Sequence, residues 1–265
     1  MEARLQWIRQ APAAWCHWDP VRGGLQAHAL IRQRYPAAAC TVAQTGSAQQ
    51  VAVQALSVPW WSTGRWTGGK TRFDMPERGS VQMLWANMAL HMAADPQALI
   101  AQWHRAIAVD GYLMFSCLGP DTLHELRAVY ADLGWPPPSH TFTDMHDWGD
   151  MLVQAGFAEP VMDMERITLT FADAPRLLQE LRGLGCNLHP QRFAGLRGRS
   201  WRGRLLQALT ERLRAEDGRL SLTFEIVYGH AFKPAARIPV EEHSAVSLDD
   251  MRAMLLDTRR KKDGL

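Results

Sequence analysis

The sequence has few cysteines and no long hydrophobic run. Its 265 residues include four cysteines, Cys16, Cys40, Cys117 and Cys186, which are widely spaced and form no C-x-x-C pair. Disulfide bonds and a structural zinc site are therefore not expected, and the thiols should be reduced. No stretch reaches the roughly 18 uncharged apolar residues that a transmembrane helix requires, so we expect no membrane span.

The sequence also lacks an excess of charge of either sign. Its 29 Lys+Arg residues nearly balance 27 Asp+Glu, for a formal net charge of +2 at pH 7, and 25 of the 29 are arginine. This balance does not indicate a nucleic-acid-binding protein, and nucleic acid is not expected as a partner. Residues 1–15 carry Glu2, Arg4 and Arg9 and contain no apolar core of secretory length. We therefore expect a soluble, cytoplasmic protein without membrane association.

What is present is a regular alternation of short apolar runs with helix-like segments. The composition, 47% hydrophobic and 21% charged, is that of a globular α/β protein. The alternation is typical of a mostly parallel sheet covered by helices. The predicted strands are Ala13 to Trp18, Ala39 to Gln44, Val81 to Asn87 and Tyr112 to Leu118. The predicted helices between them are Leu25 to Arg34, Asp95 to Ile107 and Asp121 to Ala131.

The second half has a different pattern. A helix is predicted to begin near Asp144 and to end at Gly156. Two later runs, Val161 to Phe171 and Ser221 to Phe232, alternate like antiparallel strands, with a helical, Arg-rich insertion (173–216) between them. We expect a single domain over 1–265 that ends in a tail, 233–265.

Two segments resemble a known superfamily. Asn87 to Met92 and Asp110 to Ser116 are similar to the fourth and fifth strands of class I S-adenosylmethionine-dependent methyltransferases. Within that superfamily, Phe115 to Leu126 resembles the malonyl-acyl-carrier-protein O-methyltransferases of biotin synthesis. The downstream motifs that agree are Phe142 to Asp147, Ala155 to Phe157, Leu184 to Asn187, Gly195 to Arg199 and Tyr228 to His230. The resemblance implies a Rossmann-like fold whose last strand is antiparallel, with a helical insertion before it.

The resemblance also implies a cofactor site, which departs from the family pattern. The family loop Asp-x-Gly-x-Gly-x-Gly corresponds to residues 19–25, where Asp19 and Gly23 are retained but Val21 and Leu25 replace the first and third glycines. Glycines in such loops let the backbone approach the cofactor. With Gln44 and Asn87, the retained residues are the candidate cofactor-binding residues. Asp19 and the glycines could equally form a plain strand-to-helix turn.

Two acidic positions of the family site are also changed. Gln44 stands where the family has a ribose-binding acid, and Gln82 stands where it has a second acid. An amide lacks the charge that strengthens hydrogen bonds to the ribose hydroxyls. We therefore expect S-adenosylmethionine to bind weakly or not at all.

The insertion is rich in arginine. An arginine can hold a carboxylate through two hydrogen bonds, and the resemblance makes Arg182, Arg192 and Arg199 candidates for that role. The same charges could form a docking surface for an acyl carrier protein or another acidic protein, or simply a solvated face.

The function implied is methyl transfer from S-adenosylmethionine to the carboxylate of a malonyl thioester, a step of biotin precursor synthesis. The alternative is an inactive methyltransferase-fold protein that serves as a binding module.

Three local features of the sequence each have more than one interpretation. Asp144, His146, Asp147 and Asp150 offer metal ligands, although helix capping is favoured and no metal is expected. Asp121 and Thr122 could line the site or cap the next helix. The early tryptophans are Trp7, Trp15, Trp18, Trp60, Trp61 and Trp66. They could stack on adenine or form a partner surface, although packing in the core or at its rim is favoured.

Overall fold

The apolar runs of the sequence build a seven-stranded sheet within the residues described by a computed structural model, 1–57 and 69–235. The strands are β1 (Ala14–Trp18), β2 (Ala39–Ala43), β3 (Thr71–Arg72), β4 (Val81–Asn87), β5 (Ile107–Leu118), β6 (Ala158–Phe171) and β7 (Leu220–Phe232). Their order is β3-β2-β1-β4-β5-β7-β6. The pairs from β3 to β5 are parallel, and β7 pairs antiparallel with both β5 and β6. This topology confirms the predicted Rossmann-like methyltransferase fold.

The helices in the described residues cover this sheet. They are α1 (Pro20–Gly23), α2 (Leu25–Arg34), α3 (Ala48–Leu56), α4 (Pro96–Ala106), α5 (His124–Asp132), α6 (Met145–Gln154), α7 (Ala174–Leu184) and α8 (Arg199–Arg212). Aspartate caps begin three of them: the side chain of Asp95 accepts from Ala98 N at 2.9 Å, and those of Asp144 and Asp173 accept at 2.8 Å. The capping interpretation of Asp144 is therefore confirmed.

The central strands are buried on both faces, as their continuous apolar runs indicate. In β4 and β5 the core residues include Leu84, Trp85, Leu113 and Phe115, each at most 2% exposed. One side packs against α4 and α6, where Trp103 and Trp148 fill the core.

The tryptophans divide between core and surface. Trp15 is fully buried, and Trp18 packs edge-on against Trp103 with ring centroids 6.1 Å apart. Core packing is therefore confirmed for Trp15, whereas Trp7 is 78% exposed. The predicted roles of Trp60, Trp61 and Trp66 concern residues outside those described.

Other expectations can be placed on the described residues. Met1–Pro234 forms one compact unit, and nearly all of the predicted tail lies outside the described residues.

All four cysteines are free, with Cys186 exposed and the other three buried. Burial raises the pKa of the Cys40 thiol to about 12. Over the described ranges, the helices are too short or too polar to cross a bilayer.

Candidate functional site

A large cleft of the described surface opens at the carboxyl ends of β1, β2 and β4. Its volume is about 930 Å³. In doubly wound sheets, ligands bind at this edge, where the order of the strands reverses. The strand order reverses here because β1 lies between β2 and β4. The cleft is lined by residues that follow these strands, among them Trp18, Asp19, Gln44, Met88 and His91.

Asp19 and Gln44 are joined across the floor of this cleft. The Gln44 amide nitrogen donates to Asp19 Oδ1 at 2.8 Å, and its amide oxygen accepts from Val21 N at 3.1 Å. Asp19 has a left-handed backbone (φ 47°) and its N–H donates to the Ala43 carbonyl oxygen at 2.9 Å. One amide therefore ties the end of β1 to the first turn of α1 and to the end of β2.

Gly23 and Asn87 are also brought together, beside the cleft. A Cβ on Gly23 would lie 2.4 Å from the Asn87 carbonyl oxygen, so only glycine fits this approach of α1 to the end of β4. The Asn87 amide nitrogen donates to the Gly23 carbonyl oxygen, and Asn87 Oδ1 accepts from Ser116 Oγ at 2.5 Å. Gly24, with φ 101°, then turns the chain into α2. The two predicted residues fix the shape of the loop, and neither lines the cleft itself.

The prediction that Gln82 stands at the cofactor site is wrong. Gln82 lies at the amino end of β4, and its amide oxygen accepts from Ala14 N at 2.7 Å. The cleft lies at the opposite ends of the strands, so Gln82 braces β1 against β4 instead.

A second cavity, of about 440 Å³, adjoins the cleft. Its walls come from α5, α7, α8 and the segment 138–142, and most of them are apolar. Three arginines also line it: Arg182, Arg197 and Arg202. The residues common to both spaces are His91, Met92, Leu118, Leu184, Gly185 and Phe224. The two cavities thus share a wall.

His91 is the polar side chain of this shared wall. Its Nδ1 accepts from Leu118 N at 3.3 Å, and the ring of Phe142 lies edge-on at 5.9 Å. Burial lowers the pKa of His91 to about 4, with smaller contributions from His140 and Arg22. The imidazole is therefore neutral at pH 7, and the bond from Leu118 leaves the proton on Nε2. Sequence reasoning did not select His91; the signal was its place four residues beyond the strand-end Asn87.

The three predicted arginines do not converge. All three are exposed. Arg182, on α7, lines the second cavity, whereas Arg192 and Arg199 line neither space. Arg192 donates to the His189 carbonyl oxygen at 3.2 Å. Arg197 was predicted only as part of the docking surface and not as a carboxylate ligand, yet it lines the cavity. Its guanidinium lies 4.5 Å from the Phe193 ring and 4.2 Å from the Trp201 ring.

The loop from Gly119 to Leu123 does not cap α5 through its side chains. That helix begins at His124, not at Asp121, and has no side-chain cap. Asp121 pairs with Arg166 on the surface, and Thr122 is buried against Glu225. The capping interpretation of both residues is therefore wrong, and neither lines the cleft or the second cavity.

Curated relatives of the chain share one name. It is 40% identical over 246 residues to the malonyl-(acyl-carrier protein) O-methyltransferase of Laribacter hongkongensis, covering 89% of this chain and 81% of that protein. It is 49% identical over 160 residues to the enzyme of the same name from Gallionella capsiferriformans, covering 60% of this chain and 54% of that protein. These relatives do not support the alternative of an inactive binding module. No protein-family model matches the chain.

Solved structures agree on the fold. The YcgJ protein of Bacillus subtilis matches with a TM-score of 0.55 and 12% identity, covering 88% of this chain and 97% of that one. A candidate methyltransferase of Bacillus halodurans matches with a TM-score of 0.56 and 16% identity, covering 88% and 98%. The cleft at the strand ends, the sheet order and the long Laribacter alignment all agree, and the chain belongs to the malonyl-(acyl-carrier protein) O-methyltransferase family.

Proposed function

We propose that this chain transfers a methyl group from S-adenosylmethionine to the free carboxylate of a malonyl thioester carried by an acyl carrier protein. One observation carries the proposal: a cleft at the carboxyl ends of β1, β2 and β4 shares a wall with an apolar cavity that Arg182 lines. A donor site and an acceptor site in contact are what a direct transfer requires.

The cleft suits the cofactor in size and in chemistry. Its volume of about 930 Å³ lies within the range of small-molecule sites, about 300–1,000 Å³. Asp19 and Gln44 offer polar contacts on its floor, while Trp18, Met75 and Met88 offer apolar ones. Asp19 and Gln44 would hold the polar part of S-adenosylmethionine, and the bound cofactor supplies an activated methyl group on a sulfonium. Gly23 and Asn87 would shape the loop around it.

Binding of the cofactor is proposed to be weaker than in relatives with the acidic residue. Gln44 already uses its amide nitrogen on Asp19 and accepts from Val21 through its oxygen. Its oxygen keeps one lone pair for a ribose hydroxyl, and the bond would be neutral. Neutral hydrogen bonds contribute about 1 kcal/mol, against about 1.5–3 kcal/mol for charged ones.

The acceptor needs no general base in this chemistry. A carboxylate is ionised at pH 7, since ordinary carboxyl pKa values lie near 4. Its oxygen can attack directly, so the protein has to orient the acceptor and exclude water. We assign Arg182 to the carboxylate because it is the one of the three predicted arginines that lines the second cavity.

The carrier protein is proposed to dock on the Arg-rich insertion. Residues 182–210 contain six arginines and no aspartate, glutamate or lysine. Leu184, Leu188, Phe193 and Leu196 expose apolar side chains on the same segment, and Leu196 is fully exposed. A basic surface with apolar contacts fits an acidic partner.

The test is transfer of labelled methyl from S-adenosylmethionine to malonyl-acyl carrier protein, with the ester identified by mass spectrometry. Arg182→Ala should raise the KM for the acceptor about tenfold, because the carboxylate loses its charged partner. Arg72→Ala, on the far edge strand β3, is the matched control and should behave as wild type. Absence of any ester from the wild-type protein at saturating cofactor would refute the proposed function.

A further inference from the structure

We propose that His91 is a substrate-orienting residue, whose Nε2–H donates a hydrogen bond to the acceptor carboxylate at the wall between the two cavities. The inference rests on the proposed function and adds a residue to it. Nothing in the family name or in the sequence pattern assigns a role to this histidine.

The position of the ring carries the inference. His91 lines both the cleft and the second cavity, so it lies at the wall that the two spaces share. Its backbone oxygen is bonded to His140 Nε2 at 3.0 Å, and its Nδ1 to Leu118 N at 3.3 Å. Two bonds to different segments therefore fix the residue in place.

The remaining ring nitrogen is available to a ligand. Nε2 makes no hydrogen bond within the described part of the chain, yet it is not sealed in the core like His17 Nε2. Since Nδ1 accepts, Nε2 must carry the proton of the neutral ring. Among the described residues that line both spaces, His91 is the one whose side chain carries an N–H donor.

A neutral donor fits the charges of the reaction. In the transfer, a carboxylate oxygen forms a bond to the methyl carbon while the carbon–sulfur bond breaks and its electron pair stays on sulfur. One negative and one positive charge disappear, and no proton moves. A protonated imidazole would repel the sulfonium, whereas the neutral N–H orients one oxygen and leaves the other to attack.

The expected kinetic effect is asymmetric. The carboxylate is fully charged before the reaction and loses its charge during the reaction, so a hydrogen bond to it is stronger in the bound substrate than in the transition state. Loss of the donor should therefore raise the KM for the acceptor and leave kcat unchanged or slightly higher. A hydrogen bond to a charged group corresponds to about ten- to hundredfold in affinity.

The experiment compares His91→Gln with His91→Glu. Both side chains can accept from Leu118 N–H, but only glutamine can also donate to the acceptor. Binding of malonyl-pantetheine is measured by calorimetry without cofactor, and kcat and KM are measured with the full reaction. The glutamine variant should bind within about threefold of wild type, and the glutamate variant at least about tenfold more weakly at pH 8.

The neutral methyl ester of malonyl-pantetheine separates the roles of His91. The glutamine and glutamate variants should bind this ester with much more similar affinities, because the ester has no free carboxylate. Equal binding of malonyl-pantetheine by both variants would overturn the inference, since His91 would then only hold Leu118. His124→Gln, outside both cavities, is the control for loss of a histidine. A wild-type protein that methylates no malonyl thioester would refute the proposed function, whereas an active wild type with two equal variants refutes only the role of His91.

Discussion

At the scale of single residues, Gln44 shows how one amide side chain can hold together the loop that lines a cleft. A carboxylate at this position would face Asp19, whose Oδ1 lies 2.8 Å from the Gln44 amide nitrogen. Two carboxylates at that distance repel each other unless a ligand or a proton lies between them. The amide removes this repulsion, and it also satisfies Val21 N. Gln44 therefore holds the loop in place in the protein without cofactor.

Gln44→Asp should therefore change affinity and stability in opposite directions. The new carboxylate accepts from the ribose hydroxyls, and S-adenosylmethionine should bind about five- to tenfold more tightly, measured by calorimetry. Without cofactor, the melting temperature should fall by about 2–4 °C because the bond to Asp19 is lost and a like charge is added.

Addition of Val21→Gly and Leu25→Gly tests the remaining departures of the loop. If the pocket is otherwise intact, the triple variant should bind the cofactor more tightly than Gln44→Asp alone. Gln44→Asn provides the control for shortening the side chain without adding charge. Unchanged cofactor affinity in Gln44→Asp and in the triple variant would show that these positions do not limit binding.

At the scale of elements, β7 holds the loop that follows β5. Glu225 on β7 is 4% exposed, and its Oε2 accepts from Asp121 N at 2.8 Å. Its backbone oxygen accepts from Gly119 N at 2.9 Å, and its backbone N–H donates to Thr122 Oγ1 at 3.1 Å. The loop positions Leu118 and Leu123, which line the second cavity. The strand β7, which follows the insertion in the sequence, therefore helps to shape the second cavity.

Glu225→Leu should lower the free energy of unfolding by about 2 kcal/mol, because it leaves the Asp121 N–H without a partner. Glu225→Gln keeps an oxygen acceptor and should cost less than half as much. Asp121→Ala and Asp121→Asn should both change stability by less than about 1 kcal/mol, since they keep the backbone N–H and alter only a side chain that pairs with Arg166 on the surface. Chemical denaturation measures the free energy of unfolding of all four variants. If Asp121→Ala lowered it as much as Glu225→Leu, this account would be contradicted.

The helices and strands differ in how accurately the sequence predicts their positions. The runs of β4 and β5 are apolar at successive positions, and helices such as α4 carry an aspartate cap followed by proline, so both were predicted within a few residues. The short elements α1 and β3, of four and two residues, were missed because they contain too few residues for a periodic pattern. The residue Asp121 was assigned to α5 three residues early, because its acidic side chain before an apolar run resembles a cap.

The site was predictable only in part, for a geometric reason. Asp19 follows one predicted strand and Gln44 ends the next, and the carboxyl ends of parallel strands meet at one edge. Their direct bond depends on a 2.8 Å contact that sequence spacing cannot supply. Gln82 was misplaced because the resemblance alone did not show that the residue lies at the other end of its strand. His91 and Arg197 lie in segments without a periodic pattern, and only the packing of distant elements brings them to the second cavity.

At the scale of the whole molecule, charge is balanced overall and uneven locally. The net charge is +2, while residues 182–210 carry six arginines without an acidic residue. Such a patch raises the association rate with an acidic partner and contributes little to folding.

Reversing two of these charges, Arg192→Glu with Arg199→Glu, should raise the KM for malonyl-acyl carrier protein about tenfold and reduce its dependence on salt. The KM for malonyl-pantetheine and the melting temperature should stay nearly constant. Arg9→Glu with Arg72→Glu is the matched control, because neither arginine lies on the insertion. An equal rise in KM for the small substrate would instead place Arg192 or Arg199 at the acceptor carboxylate.

A buried pair of histidines should make the stability of the whole molecule depend on pH. His17 on β1 and His28 on α2 are 0% and 6% exposed, and their Nδ1 atoms lie 3.3 Å apart. Burial lowers the pKa of His17 to about 3 and that of His28 to about 4. In the unfolded chain both should titrate near 6.5. Below pH 6.5 the unfolded state therefore binds more protons, so the free energy of unfolding decreases as the pH falls from about 6.5 towards 4.

Each of these histidines should contribute about 1.4 kcal/mol per pH unit to that decrease once the unfolded side chain is protonated and the folded one is not. His17→Phe keeps an aromatic ring beside Trp15 and removes one titrating group, so its unfolding free energy should fall less steeply between pH 6 and pH 5 by about that amount. His124→Gln removes an exposed histidine and should leave the slope unchanged. Denaturant titrations at pH 5, 6 and 7 provide the comparison. Identical slopes in wild type and His17→Phe would mean that His17 is already charged, or titrates normally, in the folded protein.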